Sequence, residues 1–103
     1  MHVVSYSTLV SFYSQPDYQD AKGALEAWYD VARWANWTSP ADVKAVFGNA
    51  SIVGNNRVVF NIKGNDYRLI VAFAYKMRWA YVKFVGTHAQ YDLIDAATVD
   101  QSR

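Results

Sequence analysis

The strongest pattern in the chain is a change from alternating to continuous apolar residues in its second half. Between 57 and 62 apolar side chains largely alternate with others, whereas almost every residue from 67 to 75 is apolar. Alternation predicts a strand with one buried face, and a continuous run predicts a strand buried on both faces. The intervening Lys63-Gly64-Asn65-Asp66 has residues that hairpin turns prefer. A third apolar run, from 80 to 85, follows, so the pattern predicts a three-stranded antiparallel meander.

The side chains of this meander fall on two faces, because successive residues of a strand point in opposite directions. The simplest registers pair Ile62 with Tyr67 and Ala72 with Lys83. The first face is then uniformly apolar, and we predict that it is the core. Its members are Val58, Phe60, Ile62, Tyr67, Leu69, Val71, Phe73, Tyr75, Ala80, Val82 and Phe84.

The second face of the meander combines a few polar groups with small side chains. Its members are Arg57, Val59, Asn61, Arg68, Ile70, Ala72, Ala74, Tyr81, Lys83, Val85 and Thr87. Two cations and an amide converge there, and the two alanines predict a shallow concavity. This face is therefore a candidate site. The alternative is that Arg68 and Lys83 are ordinary solvated charges, since isolated surface cations are common in proteins.

The first half of the chain carries helical signals. Residues 2–4 predict a short edge strand, and Ser5 or Ser7 can cap a helix that runs to about Tyr13. Pro16 suits a first helical turn, and the acids that follow predict a second helix from about 17 to 36. The apolar stripe of this helix would cover the first face of the sheet. Its members are Ala21, Leu25, Trp28, Ala32 and Ala35.

Two shorter helices complete the predicted fold. The Ser39-Pro40-Ala41-Asp42 segment has the cap, proline and acid of a helix start, and Gly48 ends that helix. Thr87 can cap a helix after the meander, and 95–103 is predicted to be a polar tail. We predict an α+β fold in which a small antiparallel sheet packs on N-terminal helices.

Composition limits the class of protein. A length of 103 residues predicts one domain, 1–103, and 52% apolar residues exclude a disordered chain. The absence of cysteine fits a reducing compartment. The chain lacks a signal-peptide pattern and any apolar run of membrane-spanning length, so we expect a cytoplasmic protein without a membrane contact. The net charge of +1 argues against a strongly nucleic-acid-binding surface.

The candidate chemistry lies where the third strand passes into the last helix. His88, Tyr91 and Asp92 are spaced to share one helical face. An imidazole suits proton transfer near neutral pH, whereas a phenol needs nearby cations, such as Arg68 and Lys83, to serve as a base. The alternative is that these side chains only pair within a surface helix. Two histidines at opposite ends of a chain without cysteine give no metal site, and no cofactor motif is present.

The four tryptophans have different predicted roles. Trp28 belongs to the helical stripe, and Trp34 and Trp37 are predicted to pack at the helix end. Trp79 lies at a hairpin tip beside Lys76 and Arg78. An exposed aromatic ring between cations can stack on a nucleobase. The alternative for Trp79 is a ring folded back on the sheet.

These residues also carry a resemblance to a known family. The segments 60–65 and 67–69, together with Val85-Gly86-Thr87-His88 and Tyr91-Asp92, resemble the HigB family of type II toxins in the RelE/ParE superfamily. Trp37, the segment 39–44 and Gly54-Asn55-Asn56-Arg57 are also similar to that family. The resemblance covers most of the chain.

The resemblance implies a RelE-like fold and an endoribonuclease that cuts mRNA in the translating ribosome. It also implies an inhibitory HigA-type helix-turn-helix antitoxin and catalysis without a metal or cofactor. The catalytic candidates are Arg68, Lys83, His88, Tyr91, Asn61 and Asp92. The RNA-binding candidates are Lys63, Lys76, Arg78 and Trp79. Two alternatives remain open, namely a non-catalytic ParE-like inhibitor of DNA gyrase and a catalytically inactive domain that only binds antitoxin or RNA.

Overall fold

The centre of the structure, a computed structural model that describes residues 1–101, is a five-stranded mixed sheet. Its strands are β1 (His2–Val4), β2 (Ser51–Val53), β3 (Arg57–Ile62), β4 (Tyr67–Ala74) and β5 (Trp79–Thr87). Their order is β1-β5-β4-β3-β2, which confirms the predicted meander and places the predicted edge strand at one side. β1 runs parallel to β5, so the sheet is not purely antiparallel as predicted.

Four α-helices accompany the sheet and confirm the α+β fold. They are α1 (Tyr6–Tyr13), α2 (Lys22–Trp34), α3 (Pro40–Val46) and α4 (His88–Tyr91), and short 3₁₀ turns span Pro16–Ala21 and Tyr75–Met77. The predicted helix from 17 to 36 is thus divided into a 3₁₀ turn and α2. It ends at Trp34, because the chain becomes extended at Ala35 and then buries Trp37. Within residues 1–101, no helix is long and apolar enough to span a bilayer.

The predicted caps and tryptophans have mixed outcomes. Ser39 caps α3, since its side chain accepts a hydrogen bond from the backbone N–H of Asp42. Ser5 precedes α1 in a left-handed conformation without a side-chain cap. Trp28 and Trp37 are buried as predicted. Trp34 is 77% exposed, so its predicted packing role is wrong.

The helices cover the first face of the sheet and form the main core with it. Ala21, Leu25, Trp28 and Ala32 of the predicted stripe are buried, and Ala35 packs against them. The ring of Trp28 meets the ring of Phe60 at a centroid distance of 5.4 Å. The predicted core face is confirmed for every member of β3 and β4, and for Ala80 and Val82 of β5.

The two hairpins differ in how well their registers were predicted. Ile62 pairs with Tyr67 and Asn61 with Arg68, as predicted. The second hairpin is closed by the Tyr75–Met77 turn and a left-handed Arg78, so Ala72 pairs with Tyr81 and not with Lys83.

A β-bulge further along β5 reverses the faces of the residues that follow it. Val82 pairs with Val71 and Phe84 with Ile70, which leaves Lys83 as the extra residue. Phe84 therefore lies on the second face, and Val85 packs in the main core. The predicted faces of these two residues, and of Thr87 opposite Tyr67, are wrong because an inserted residue shifts strand parity by one.

The chain after α4 covers part of the second face. Ile94, Ala96 and Val99 pack on a small cluster formed by Val59, Ile70 and Phe84. The backbone N–H of Gln101 donates to the carbonyl oxygen of Lys83 at 2.7 Å. The predicted polar tail is thus wrong for 95–101, and its last two residues, 102–103, lie outside the described residues.

Buried Arg57 ties this C-terminal segment, residues 93–101, to the sheet. Its guanidinium donates to the carbonyl oxygens of Ala96 at 3.1 Å and Val99 at 2.5 Å. A buried guanidinium requires hydrogen-bond acceptors, and these two carbonyls supply them. The second face is therefore partly a second core, and within residues 1–101 the rest of that face is left open by this segment.

Candidate active site

The side chain of Gln90 holds the short helix α4 in two ways, through the helix cap and through Tyr18. Its amide oxygen accepts from the backbone N–H of Thr87 at 2.9 Å, and the Thr87 hydroxyl accepts from the backbone N–H of Gln90 at 3.1 Å. This capping box satisfies two donors that a helix start otherwise leaves unpaired. The Gln90 amide nitrogen also donates to the hydroxyl of Tyr18 at 3.2 Å, which links α4 to the first 3₁₀ turn.

Gly86 allows the cap to approach β5. A Cβ atom on Gly86 would lie 2.7 Å from Oε1 of Gln90 and 2.7 Å from Cζ of Phe84. These separations are shorter than van der Waals contact, so only glycine leaves room for both side chains. Gly86 is also the strand partner of Arg68. The close approach therefore places the start of α4 beside that cation.

Arg68 is a nearly buried cation without a carboxylate partner among the described residues. Only 8% of it is exposed. Its guanidinium donates to the backbone oxygens of Tyr67 at 3.1 Å and Asn65 at 3.2 Å, and to the Asn65 amide oxygen at 3.4 Å. The guanidinium carbon lies 5.9 Å from the centre of the Tyr91 ring. The positive charge is thus held in place by neutral groups, and no described carboxylate neutralises it.

α4 carries the predicted imidazole, phenol and carboxylate, and its Tyr91 lies beside this cation. Nδ1 of His88 lies 3.2 Å from Oδ2 of Asp92, one helical turn away. Both side chains are more than half exposed, and the carboxylate contacts the imidazole through its Nδ1 atom. Tyr91 is half-buried, and its ring packs 6.5 Å from the ring of Phe84. His88 and Tyr91 are three residues apart and so face the same side of α4.

The remaining catalytic candidates occupy different places. Asn61 lies directly across the strand pair from Arg68, and it is exposed beside a cavity of about 130 Å³ under the end of α3. Lys83 lies at the bulge, where its ammonium contacts Asp100 at 3.4 Å and lies 5.7 Å from the Tyr81 ring. The structure therefore brings Arg68 together with the α4 residues, whereas the described contacts of Lys83 are with Tyr81 and the C-terminal segment.

Three of the four predicted RNA-binding side chains lie at the second hairpin, and Lys63 lies apart from them in the turn of the first. Lys76 is exposed in the second hairpin turn. Arg78 donates through Nε to the amide oxygen of Asn36 at 2.5 Å and through a second nitrogen to the backbone of Tyr75. Trp79 is 36% exposed, with its ring centroid 4.9 Å from that of His2.

Lys63 joins the first hairpin to the 3₁₀ turn before α2. Its ammonium donates to Oδ2 of Asp20 at 2.6 Å, and the hydroxyl of Tyr67 donates to the other carboxylate oxygen. The hydrogen bond from Lys63, followed by that from Tyr67, lowers the pKa of Asp20. The same carboxylate raises the pKa of Lys63 and raises the pKa of Tyr67 to about 12. Lys63 therefore serves the fold, because its charge is already paired.

Sequence reasoning predicted the Thr87 cap, which is confirmed, but it missed the other groups that place the site. Gln90 completes a capping box with Thr87, and that spacing could have been found from the sequence. Tyr18, which holds Gln90, comes from 72 residues away and gives no local signal. In residues 1–101, no three His, Cys, Asp or Glu side chains form a metal-ligand group.

The arrangement combines three chemical abilities at one edge of the sheet. Arg68 can bind a phosphate, since a guanidinium matches phosphate oxygens in geometry and charge. His88, paired with Asp92, can act as a general acid or base. Tyr91 can donate a hydrogen bond or a proton beside the cation. These abilities fit a reaction at a phosphodiester.

Comparison with known proteins gives a consistent result. A family model for the HigB toxin, described as the RelE-like toxic component of a toxin–antitoxin system, matches residues 21–94. The matched region runs from the end of the first 3₁₀ turn to just beyond α4 and includes all six catalytic candidates. A search of curated proteins finds no match. Because the matched region covers well over half of the chain and confirms the resemblance of its motifs, the chain belongs to the HigB family of RelE-like toxins, the toxic components of toxin–antitoxin systems.

Proposed function

We propose that this toxin is an endoribonuclease that cleaves mRNA on the translating ribosome and thereby inhibits translation. The observation that carries the proposal is the combination of Arg68, unpaired with any described carboxylate, with Tyr91 and the His88–Asp92 pair. A surface that bound only another protein would not need a paired imidazole on the same short helix whose tyrosine contacts a cation without a described carboxylate partner. A phosphodiester supplies both the anion and the proton transfers that these groups suit.

The proposed reaction is attack of a ribose 2′-hydroxyl on the adjacent phosphorus. A base removes the proton from the 2′-oxygen, a bond forms from that oxygen to phosphorus, and the bond to the 5′-oxygen breaks. An acid then protonates the leaving 5′-oxygen, which gives a 2′,3′-cyclic phosphate and a 5′-hydroxyl. His88 and Tyr91 divide the base and acid roles, and Asp92 orients His88.

Two cations would stabilise the charge that develops on the phosphate. Arg68 is held by backbone carbonyls and so needs little reorganisation during the reaction. Lys83 is the second cation, and the phosphate would compete with Asp100 for it. Asn61, opposite Arg68, would orient the guanidinium or the ribose. No step requires a metal or cofactor.

Membership of a toxin–antitoxin family implies an antitoxin partner. We propose that this partner is a HigA-type helix-turn-helix protein that binds the helices and the surface around the site. Lys76, Arg78 and Trp79 would contact RNA at the tip of the second hairpin, whereas Lys63 would contribute less because Asp20 holds it.

The test is induced expression in cells followed by mapping of mRNA 5′ ends, with and without an inhibitor of translation initiation. New 5′ ends are expected only within translated messages and only while they are translated. The matched control is His88→Ala, shown to be folded. Growth arrest with altered DNA supercoiling and unchanged mRNA ends would instead support the gyrase alternative, and arrest by an Arg68→Ala, His88→Ala double variant would support a non-catalytic toxin.

A further inference from the structure

The part of the second face that the C-terminal segment leaves open carries a row of aromatic rings. His2 of β1 and Trp79 of β5 are strand partners, and their ring centroids are 4.9 Å apart. Trp79 and Tyr81 lie two residues apart on β5, and their centroids are 5.8 Å apart. The ammonium of Lys83 continues the row at 5.7 Å from the Tyr81 ring. We call His2, Trp79 and Tyr81 the aromatic ladder.

The strand beside the ladder offers no large side chains on this face. Ala74 is the strand partner of Trp79, and Ala72 is the partner of Tyr81. Both alanines are only partly buried. The rings therefore project beyond the small side chains of β4, and a planar group can approach a ring face from that side. The apolar contacts of the C-terminal segment lie further along the sheet, on Val59, Ile70 and Phe84.

The charges around the ladder favour an anionic chain. Lys83 lies at one end, and exposed Lys76 precedes the ladder at the other. The acid that faces this row from the C-terminal segment is Asp100, which contacts Lys83 at 3.4 Å. The rings are tilted by 59° and 47° to their neighbours, so each presents its own face and not one flat surface. Rings tilted in this way suit successive bases of a chain better than one large flat ligand.

We propose that the aromatic ladder is a stacking site for one or two bases of single-stranded RNA, whose phosphate is bound by Lys83. Every base has a π-face, so such a site binds without reading sequence. The assignment of RNA as the ligand rests on the proposed function, whereas the ladder itself is defined by the geometry of β1 and β5. It would hold the bases of the message next to the phosphate that Lys83 binds in the proposed reaction.

The direct test is nuclear magnetic resonance of the full chain labelled with ¹⁵N and carrying His88→Ala, so that RNA is not cut. The four tryptophan indole N–H signals report on four places in one molecule. The probe is a single-stranded adenylate hexamer, titrated to about 1 mM, a concentration at which weak stacking is measurable. The matched ligand is a hexamer with the same ribose-phosphate chain and no bases.

The Trp79 signal, assigned through Trp79→Phe, is expected to shift with the adenylate hexamer and to shift much less with the abasic chain. The Trp34 signal is the internal control, because Trp34 is more exposed than Trp79 and lies on helix α2. Trp79→Ala should weaken hexamer binding about tenfold or more, the usual effect of removing one stacking ring. Trp34→Ala should leave the affinity within about twofold of the parent protein.

Several results would overturn the inference. Equal Trp79 shifts with both hexamers would show phosphate binding alone, and equal shifts of Trp34 and Trp79 would show unspecific contact. Absence of a Trp79 shift at the highest concentration, with a clear shift on adding the antitoxin, would make the ladder a protein-binding surface.

The outcome is separable from that of the proposed function. If the Trp79 signal does not respond while mRNA is still cleaved in cells, the stacking site is refuted and the proposed nuclease activity is not. A selective Trp79 response in a protein that produces no new mRNA ends would support the ladder and refute the nuclease.

Discussion

Replacing Gly86 with alanine tests how the site is held against the sheet. The added Cβ would lie 2.7 Å from Oε1 of Gln90, 2.7 Å from Cζ of Phe84 and 3.1 Å from Cε1 of the same ring. Nonbonded carbon atoms normally approach to about 3.5–4.0 Å. Both side chains must therefore move. Phe84 is buried under the C-terminal segment, and Gln90 is held by the capping box and by Tyr18.

The expected cost has two sources. Inserting a methyl group into a packed site costs about 1–3 kcal/mol. Displacing Gln90 removes helix-capping hydrogen bonds, which are typically worth about 1 kcal/mol. We expect Gly86→Ala to lower the free energy of unfolding by roughly 2–4 kcal/mol. Movement of α4 should also reduce the rate of RNA cleavage, because His88 and Tyr91 lose their alignment with Arg68.

A second glycine in the chain supplies the control. A Cβ on Gly23, in α2, meets no atom within 4 Å. Alanine there should raise the free energy of unfolding by about 0.5–1 kcal/mol, because it reduces the freedom of the unfolded chain and favours the helix. Urea unfolding, monitored by tryptophan fluorescence, measures the stability of both variants. Equal slopes of the free energy of unfolding against urea concentration show that the values are comparable. A Gly86→Ala protein within about 0.5 kcal/mol of the parent would refute the reasoning.

Other substitutions test the core, the pH dependence and the site. Leu69→Ala should cost about 2–5 kcal/mol in urea unfolding, because Leu69 is fully buried in the main core. Asp20→Asn should lower the urea midpoint at pH 7 and have little effect near pH 2. The lowered pKa of Asp20 means that its contribution is present above about pH 3.9 and is lost as the pH falls through the folded value. Arg68→Ala and Lys83→Ala should each slow single-turnover cleavage on programmed ribosomes about 10²- to 10³-fold. Cleavage should survive prior removal of metal from the toxin with a chelator, provided that the magnesium of the ribosome is restored.

Each of these tests has its own contrary outcome. A loss below about 0.5 kcal/mol for Leu69→Ala would contradict the assigned core. Asp17→Asn is the control for Asp20, and an equal effect of the two at pH 7 would mean that only net charge matters. Near-parent rates for both Arg68→Ala and Lys83→Ala would overturn the site. Activity that returns only when metal binds the toxin itself would exclude the metal-free reaction.

The first hairpin could be predicted because its sequence is unambiguous. Apolar side chains largely alternate with others between 57 and 62, and the turn that follows has glycine at a left-handed position. The bulge in β5 could not be predicted, because Phe84 and Val85 are both apolar and either one fits the core face. Tertiary packing decides which of the two faces the main core, and the pattern of apolar residues along the strand does not indicate it.

The candidate site was predictable where its geometry is local. The spacing of His88 and Asp92 predicts their contact, and the turn register predicts that Asn61 faces Arg68. The position of Lys83 was not predictable, because it depends on the bulge and on Asp100 of a segment that the sequence suggests is a polar tail. Ile94, Ala96 and Val99 are too few and too widely spaced to indicate a buried segment without the sheet beneath them.

The bulge at Lys83 also determines which changes of chain length the sheet can accept. β5 contributes Val82 and Val85 to one core and Phe84 to the other, and these residues pair with consecutive positions of β4, with Lys83 as the extra residue between them. Deleting Lys83 would leave Val82 and Phe84 as consecutive residues in regular alternation opposite Val71 and Ile70, so Phe84, Val85 and Gly86 should keep their present faces and partners. The sheet should therefore tolerate the loss of this residue as well as the exchange of its side chain, and what the bulge provides is the position of the Lys83 ammonium against Asp100.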